Sequence, residues 1–414
     1  MRIAFLTQYY LPETGPAQNR LADLAKRFAS WGHQVEVLTA LPSYPRNHVL
    51  PEYVGRENTW ETLDGVRLLR LGLYVPKTKN MKSRMANYLS FAGNALLKGP
   101  LELQRCELLL MESPPLFLAM AGVPLARLLG AGLWTNISDL WPQSAVALNM
   151  IGPGPALAMA ERLESWMYRN SVLITGQTEG IVEDIQSRFP DKRVALFPNG
   201  IDTKAFDRAF DREGVRRQMG WPDDLFVVGY AGLMGEMQAL DQVLNAALLL
   251  RDLPEVCFAF FGDGPRRLHL EERVRTERIK NVTFFSHQPR ERMPDLQVAM
   301  DAGLVPLSRA KLFEGARPAK MFEIMAVGRP VLLCGRGEAQ RVLEATPGGP
   351  AGLISAPEDP QELARQIRHL AGDRRLALEM GARGRAYVFA SFDREPIARR
   401  IEELATSVLG SRAT

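Results

Sequence analysis

Apolar and polar positions alternate along the first half of the chain in two rhythms. Short apolar runs, RIAFLTQ, QVEVLTA, VRLLRLGL, CELLLMES, AGLWTNISD and SVLITGQ, have the length of buried strands. Between the first two, Ala17, Leu21, Leu24, Ala25 and Phe28 recur on one helical face, and Gly32 follows as a stop. The second half repeats this logic with FVVGYAG, VCFAFFG, VTFFS, AGLVPL and PVLLC. Helical segments such as Ala239 to Arg251 and Arg317 to Val327 separate them. Strand–helix alternation with buried strands predicts an α/β fold with parallel sheets covered on both faces. The turn-rich VALFPNGIDTKAF predicts a boundary, giving two Rossmann-like, doubly wound domains at 1–195 and 196–393. Ligands of such sheets bind beyond the carboxyl ends of the strands, and two such domains would leave a cleft between those ends. The last amphipathic helix, within 394–414, is expected to return to the first domain.

Composition narrows the class. A length of 414 residues exceeds one typical core. Hydrophobic residues at 46% and charged residues at 24% fit an ordinary soluble protein. A net charge of +4, without a recognition motif, does not point to nucleic acid. Cys106, Cys257 and Cys334 are far apart and form no metal or disulfide pattern, which fits a reducing cytoplasm. MRIAFLTQYYLP is too short in its apolar run for a signal peptide. Leu108 to Leu133 is broken by Glu112, a Pro pair and Arg127, so it is a poor transmembrane candidate.

The richest stretch is RPAKMFEIMAVGRPV, Arg317 to Val331. Pro318 suits a first helical turn, and Gly328 with Pro330 ends the helix. Lys320 and Glu323, three apart, share a face. A carboxylate inside MFEIMAV needs donors, and a ribose diol would supply two. A helix N-terminus beside Arg317 and Lys320 would suit phosphate oxygens. An ion pair on an ordinary amphipathic helix fits the same residues. Glycines follow two strands, in GYAGLMGEM (Gly232, Gly235) and FFGDGPRR (Gly262, Gly264). They would let backbone approach a ligand, with Arg266 and Arg267 adding charge, or they make plain turns. Gly15 and Pro16 form a small-residue loop after the first strand with the same two readings.

Taken together, the chain resembles the family 4 glycosyltransferases, which have the GT-B fold. RIAFLTQYYLPETGPAQNR, WGHQVEVLT, FPNGIDTKAF, FGDGP, NVTFFSHQPRERMP, AGLVPL and KMFEIMAVGRPVL carry the likeness, in order, over essentially the whole chain. ISDLWPQSAV and PAKMFEIMA look like the branch that builds bacterial surface polysaccharides, often with N-acetylated amino sugars from UDP carriers. The resemblance implies a retaining, metal-independent transfer from a UDP-sugar to a lipid-linked or saccharide acceptor, with no cofactor. Glu323 would bind the ribose, and Lys320 with the helix amides the diphosphate. Gly15 would face the donor sugar, and stabilisation of the leaving diphosphate would do most of the catalysis.

Three positions depart from the family pattern. Gly315 stands where a first glutamate is common, with Glu314 one residue out of register. Leu233 and Gln238 stand where Arg and Lys are common, leaving Arg266, Arg317 and Lys320 to meet phosphate charge. Ser138 stands where a histidine is common, before Asp139. Asp139 would orient acceptor or donor, or cap the turn before LWPQSAV. His287 is a cleft or loop histidine, and His33 a structural one between helix and strand.

Lys77, Lys79, Lys82 and Arg84 lead into MANYLSFAGNALLKG, where Met85, Leu89, Ala92 and Leu96 recur at helical spacing. Residues 77–99 would dock on anionic lipid at the cytoplasmic face of the inner membrane, or pack on their own domain. Two other functions are compatible with the architecture: a nucleotide-sugar epimerase, using Asp139, Glu314 or His287, and a catalytically silent partner protein. A nicotinamide oxidoreductase is excluded, because LTQYYLPETGPAQ lacks G-x-G-x-x-G.

Overall fold

A computed structural model describes residues 1–13, 15–44, 48–76, 81–147, 150–286 and 288–410. The chain divides into two compact units, Met1–Asn199 with Glu395–Thr414, and Gly200–Arg394.

Among the described residues, the first unit holds an eight-stranded sheet of order β3-β4-β2-β1-β5-β6-β7-β8. Its strands are β1 Arg2–Leu6, β2 Gln34–Ala40, β3 Thr59–Leu63, β4 Val66–Leu71, β5 Leu108–Ser113, β6 Gly132–Ile137, β7 Ser171–Gly176 and β8 Val194–Leu196. All pair in parallel except β3, which runs antiparallel to β4. The β3–β4 connection is Asp64-Gly65, both at positive φ, the two-residue turn that matches strand twist. Alternate residues serve opposite faces. Ala4, Leu6, Leu109 and Met111 join one apolar cluster; Ile3, Phe5, Leu108 and Leu110 join the other.

The helix Arg394–Gly410 completes the second of these clusters with Ile397, Ile401, Ala405 and Val408. Each buried isoleucine is worth about 1.5–3 kcal/mol. Glu395 accepts from Arg27 at 2.5 Å, and Glu402 pairs with His33 at 2.6 Å. His33 thus ties the turn before β2 to this helix, in keeping with its structural reading.

Among the described residues, the second unit holds a six-stranded parallel sheet of order β11-β10-β9-β12-β13-β14. Its strands are β9 Phe226–Ala231, β10 Val256–Phe261, β11 Val282–Phe285, β12 Ala302–Pro306, β13 Val331–Cys334 and β14 Gly352–Ser355. Val228 and Tyr230 face a core shared with helices Asp241–Leu249 and Pro360–Gly372. Val305 and Leu333 face another, filled by Met321, Phe322 and Met325 of helix Ala319–Ala326. That helix starts later than its apolar pattern predicts. Pro318 is its N-cap in an extended conformation (φ −61°, ψ 126°) rather than a first-turn residue. Gly328 ends it at φ 70°, where the N–H groups of Gly328 and Arg329 close onto Met325 and Ile324.

Candidate functional site

In the second unit the site grows from the carboxyl edge of β9 and β10. Gly232 N–H donates to Phe261 O at 2.9 Å, Met234 N–H to Asp263 O at 2.8 Å, and Arg266 N–H to Met234 O at 3.0 Å. The two loops are therefore zipped together beyond their strands. A Cβ on Gly262 would lie 2.0 Å from Gly232 O, and one on Gly264 2.4 Å from Met234 O, both at positive φ. These glycines serve the contact of loop with loop, a demand distinct from ligand approach. Gly235 N–H donates to the side chain of Gln238, which closes the next turn. Leu233, 59% exposed, forms the tip.

Beside this edge stands helix Ala319–Ala326, with no side-chain cap on its first turn. Lys320 Nζ lies 3.9 Å from the Tyr230 ring centre. Burial pushes its ammonium down to about 7, and the Glu323 carboxylate opposes that shift. A cation over an aromatic face, one turn from a carboxylate, at an uncapped helix start, is suited to hold an anion.

Two further cations are engaged by acids. Arg266 pairs with Asp241 at 2.7 Å and Glu236 at 3.5 Å. Arg317 pairs with Glu338 at 2.7 Å, both buried, and Glu338 also meets Arg341. Burial lowers the Arg317 guanidinium, and Glu338 works against that. Arg317 therefore anchors the approach to the helix, which its sequence position does not reveal. Glu314 is exposed on the short turn Lys311–Gly315. It lines an open pocket of about 550 Å³ with Arg309, Arg336 and Glu358, beyond β12 to β14.

In the first unit the loop after β1 is braced by Glu13. This buried carboxylate accepts the N–H groups of Ser43 and Tyr44, both at 2.7 Å, and burial raises its pKa. Gly15 caps helix Pro16–Ser30 in extended backbone that any residue adopts; the nearest atoms a Cβ there would meet belong to the flexible Gln18 side chain. Its smallness leaves the loop open without being required by φ. Asp139 accepts the Ser144 hydroxyl at 2.5 Å, and burial raises its pKa. It braces the turn before helix Gln143–Ala147.

A buried network joins these loops. Arg20 donates to Ser138 Oγ at 2.6 Å, to Asn199 at 2.5 Å, to Gln177 at 3.1 Å and to Glu112 at 3.3 Å. Glu112 also accepts Asn136 Nδ2 at 2.6 Å, and burial raises its pKa. Arg20 was not a site candidate in sequence, although an arginine on the apolar face of its helix was a signal that a partner must exist. The same contact explains the asparagine of PNGID.

Helix Met81–Glu102 buries Phe91, Ala92 and Ala95 and leaves Met85, Leu89, Leu97 and Leu101 exposed. Lys82 and Arg84 are exposed near its start. Asn87 accepts from Gln8 at 2.7 Å and donates to Tyr74 O at 2.6 Å, fastening the helix to the loop after β1. Lys77, Lys79 and His287 lie outside the described residues. Among the described residues no helix is long and apolar enough to cross a membrane.

Two family descriptions match the chain: glycosyl transferase 4-like domain over residues 15–200 and glycosyl transferases group 1 over residues 226–373. The chain is 27% identical over 412 residues to the protein named as the colanic acid biosynthesis glycosyl transferase WcaI of Escherichia coli K12, covering 97% of this chain and 98% of that one. Sucrose-phosphate synthase from Thermosynechococcus elongatus superposes with a TM-score of 0.73 at 19% identity, covering 99% of both chains. Anabaena HepE in complex with UDP-glucose superposes at 0.71 and 18% identity, covering 98% of this chain and 100% of that one.

Proposed function

Given that the chain belongs to the family 4 glycosyltransferases and has their GT-B fold, we propose that it moves a sugar from a UDP-sugar to a lipid-linked or saccharide acceptor in surface polysaccharide biosynthesis. The observation that carries this reading is Lys320 and Glu323 on one short helix beside the zipped glycine loops. Glu323 would accept from the ribose hydroxyls. Lys320 and the helix amides would hold the diphosphate and stabilise its charge as the glycosidic bond breaks. With Arg266 and Arg317 engaged by acids, Lys320 is the cation this reading rests on. Two findings about relatives support the donor and setting: HepE is solved with UDP-glucose, and WcaI is named for colanic acid biosynthesis.

The finer terms of the proposal are a retaining, metal-independent transfer of an N-acetylated amino sugar. In it the leaving phosphate helps deprotonate the acceptor. Asp139 would act by holding the turn after β6, and Glu314, on its exposed turn, would reach the donor sugar. Helix Met81–Glu102, with Lys82, Arg84 and its exposed leucines, would rest on anionic lipid at the cytoplasmic face of the membrane. Titration calorimetry with UDP tests the core of the reading. Binding by the wild-type chain, lost in a folded Glu323→Ala variant, supports it; normal UDP binding by that variant removes the ribose role. Conversion of a UDP-sugar into its isomer without any acceptor would favour an epimerase instead.

A further inference from the structure

The first unit carries a cavity of about 380 Å³ at the amino ends of β1, β2 and β4 and just before β5. Arg2, Arg67, Arg105, Glu36, His33 and Cys106 are among its lining residues. This is the edge of the sheet opposite the carboxyl ends where α/β sheets bind their substrates. We propose that the cavity is a second ligand site, for a small phosphorylated molecule of sugar-phosphate size.

The volume falls in the range of small-molecule sites. The charge decides the ligand class. Both Glu36 oxygens are engaged: Oε1 accepts from Arg67 Nη1 at 2.7 Å, and Oε2 accepts the Gln104 N–H at 3.1 Å. Arg67 is further held over the Trp60 ring at 4.4 Å. Glu107 takes the backbone N–H of Arg2, at 2.5 Å, and not its guanidinium. Among the described residues neither Arg2 nor Arg105 has an acid paired with its guanidinium, so the lining carries an uncompensated positive charge. His33 is held between the Met1 amino group and Glu402, and serves as wall. Burial pushes the Cys106 thiol up to about 11, so no thiolate offsets the arginines. Guanidinium forks match phosphate oxygens in pairs.

Calorimetry of the full chain with glucose 1-phosphate, in the presence of saturating UDP, tests the site. The expected result is one-to-one binding that persists under UDP. It should weaken roughly tenfold in Arg105→Gln and in Arg2→Gln, the loss of a charge-assisted contact, in proteins that melt as the wild type does. No binding, loss of binding under UDP, or wild-type affinity in both variants would overturn it. Failure of UDP to bind would count against the donor reading alone, because the arginine variants report the cavity independently.

Discussion

Lys320 and Tyr230 form a stacked pair, the ammonium 3.9 Å from the ring centre, at the carboxyl edge of β9. The Gly232 backbone lies against the pair: a Cβ there would stand 3.0 Å from Nζ. A cation so enclosed loses water on folding, which is why its pKa falls to about 7. A bound diphosphate would restore the proton. UDP affinity should therefore fall as pH rises from 6.5 to 9, with proton uptake at pH 8 measured in buffers of different ionisation enthalpy. The same lowered pKa weighs against the fold wherever the lysine is protonated, fully below about pH 7 and less toward 10.5. Lys320→Met should raise the apo melting temperature at pH 6 more than at pH 9, while weakening UDP roughly a hundredfold. A melting gain that did not shrink with pH would contradict the titration.

Gly262→Ala should open the zipped loops. The added methyl meets Gly232 O at 2.0 Å, and the backbone sits at φ 135°. Strain of this kind costs about 1–3 kcal/mol before the clash is relieved. UDP binding and melting temperature should fall together, read by calorimetry and circular dichroism.

Arg317→Ala should destabilise the second unit by about 3–5 kcal/mol, the cost of leaving buried Glu338 without its main partner. The double variant Arg317→Met/Glu338→Met should recover much of the loss in denaturant melts. UDP affinity of that folded double variant should match the wild type. A large drop would return Arg317 to the phosphate.

Lys82→Glu with Arg84→Glu should reduce co-sedimentation with phosphatidylglycerol vesicles by an order of magnitude or more, since each surface cation contributes about 1 kcal/mol to anionic lipid. Leu97→Ser with Leu101→Ser, at 71% and 84% exposure, should do the same without changing charge. Partitioning that neither pair alters would leave helix Met81–Glu102 as a surface element only.

The strands with continuous apolar runs were legible because their side chains are buried on both faces, as in the all-buried LLLMES of β5. β3 was missed: TWETL is mostly exposed and alternates weakly, and only the Asp64-Gly65 turn marks it. At the candidate site, the spacing of Lys320 and Glu323 was readable because helical geometry is local. The fates of Arg266, Arg317 and Gln238 were not. Each is decided by a partner or turn that the linear pattern does not display: Asp241, Glu338 and the Gly235 amide. Arg20 is the same case at longer range, with partners up to 179 residues away.

Because Ile397, Ile401 and Val408 finish a core begun by Ile3 and Phe5, the first unit cannot be completed during translation until its last segment has left the ribosome. The nascent amino-terminal sheet must wait, one apolar face covered only in part by helix Pro16–Ser30, while some two hundred intervening residues are synthesised. A premature stop codon near position 394 would therefore damage the half of the molecule made first.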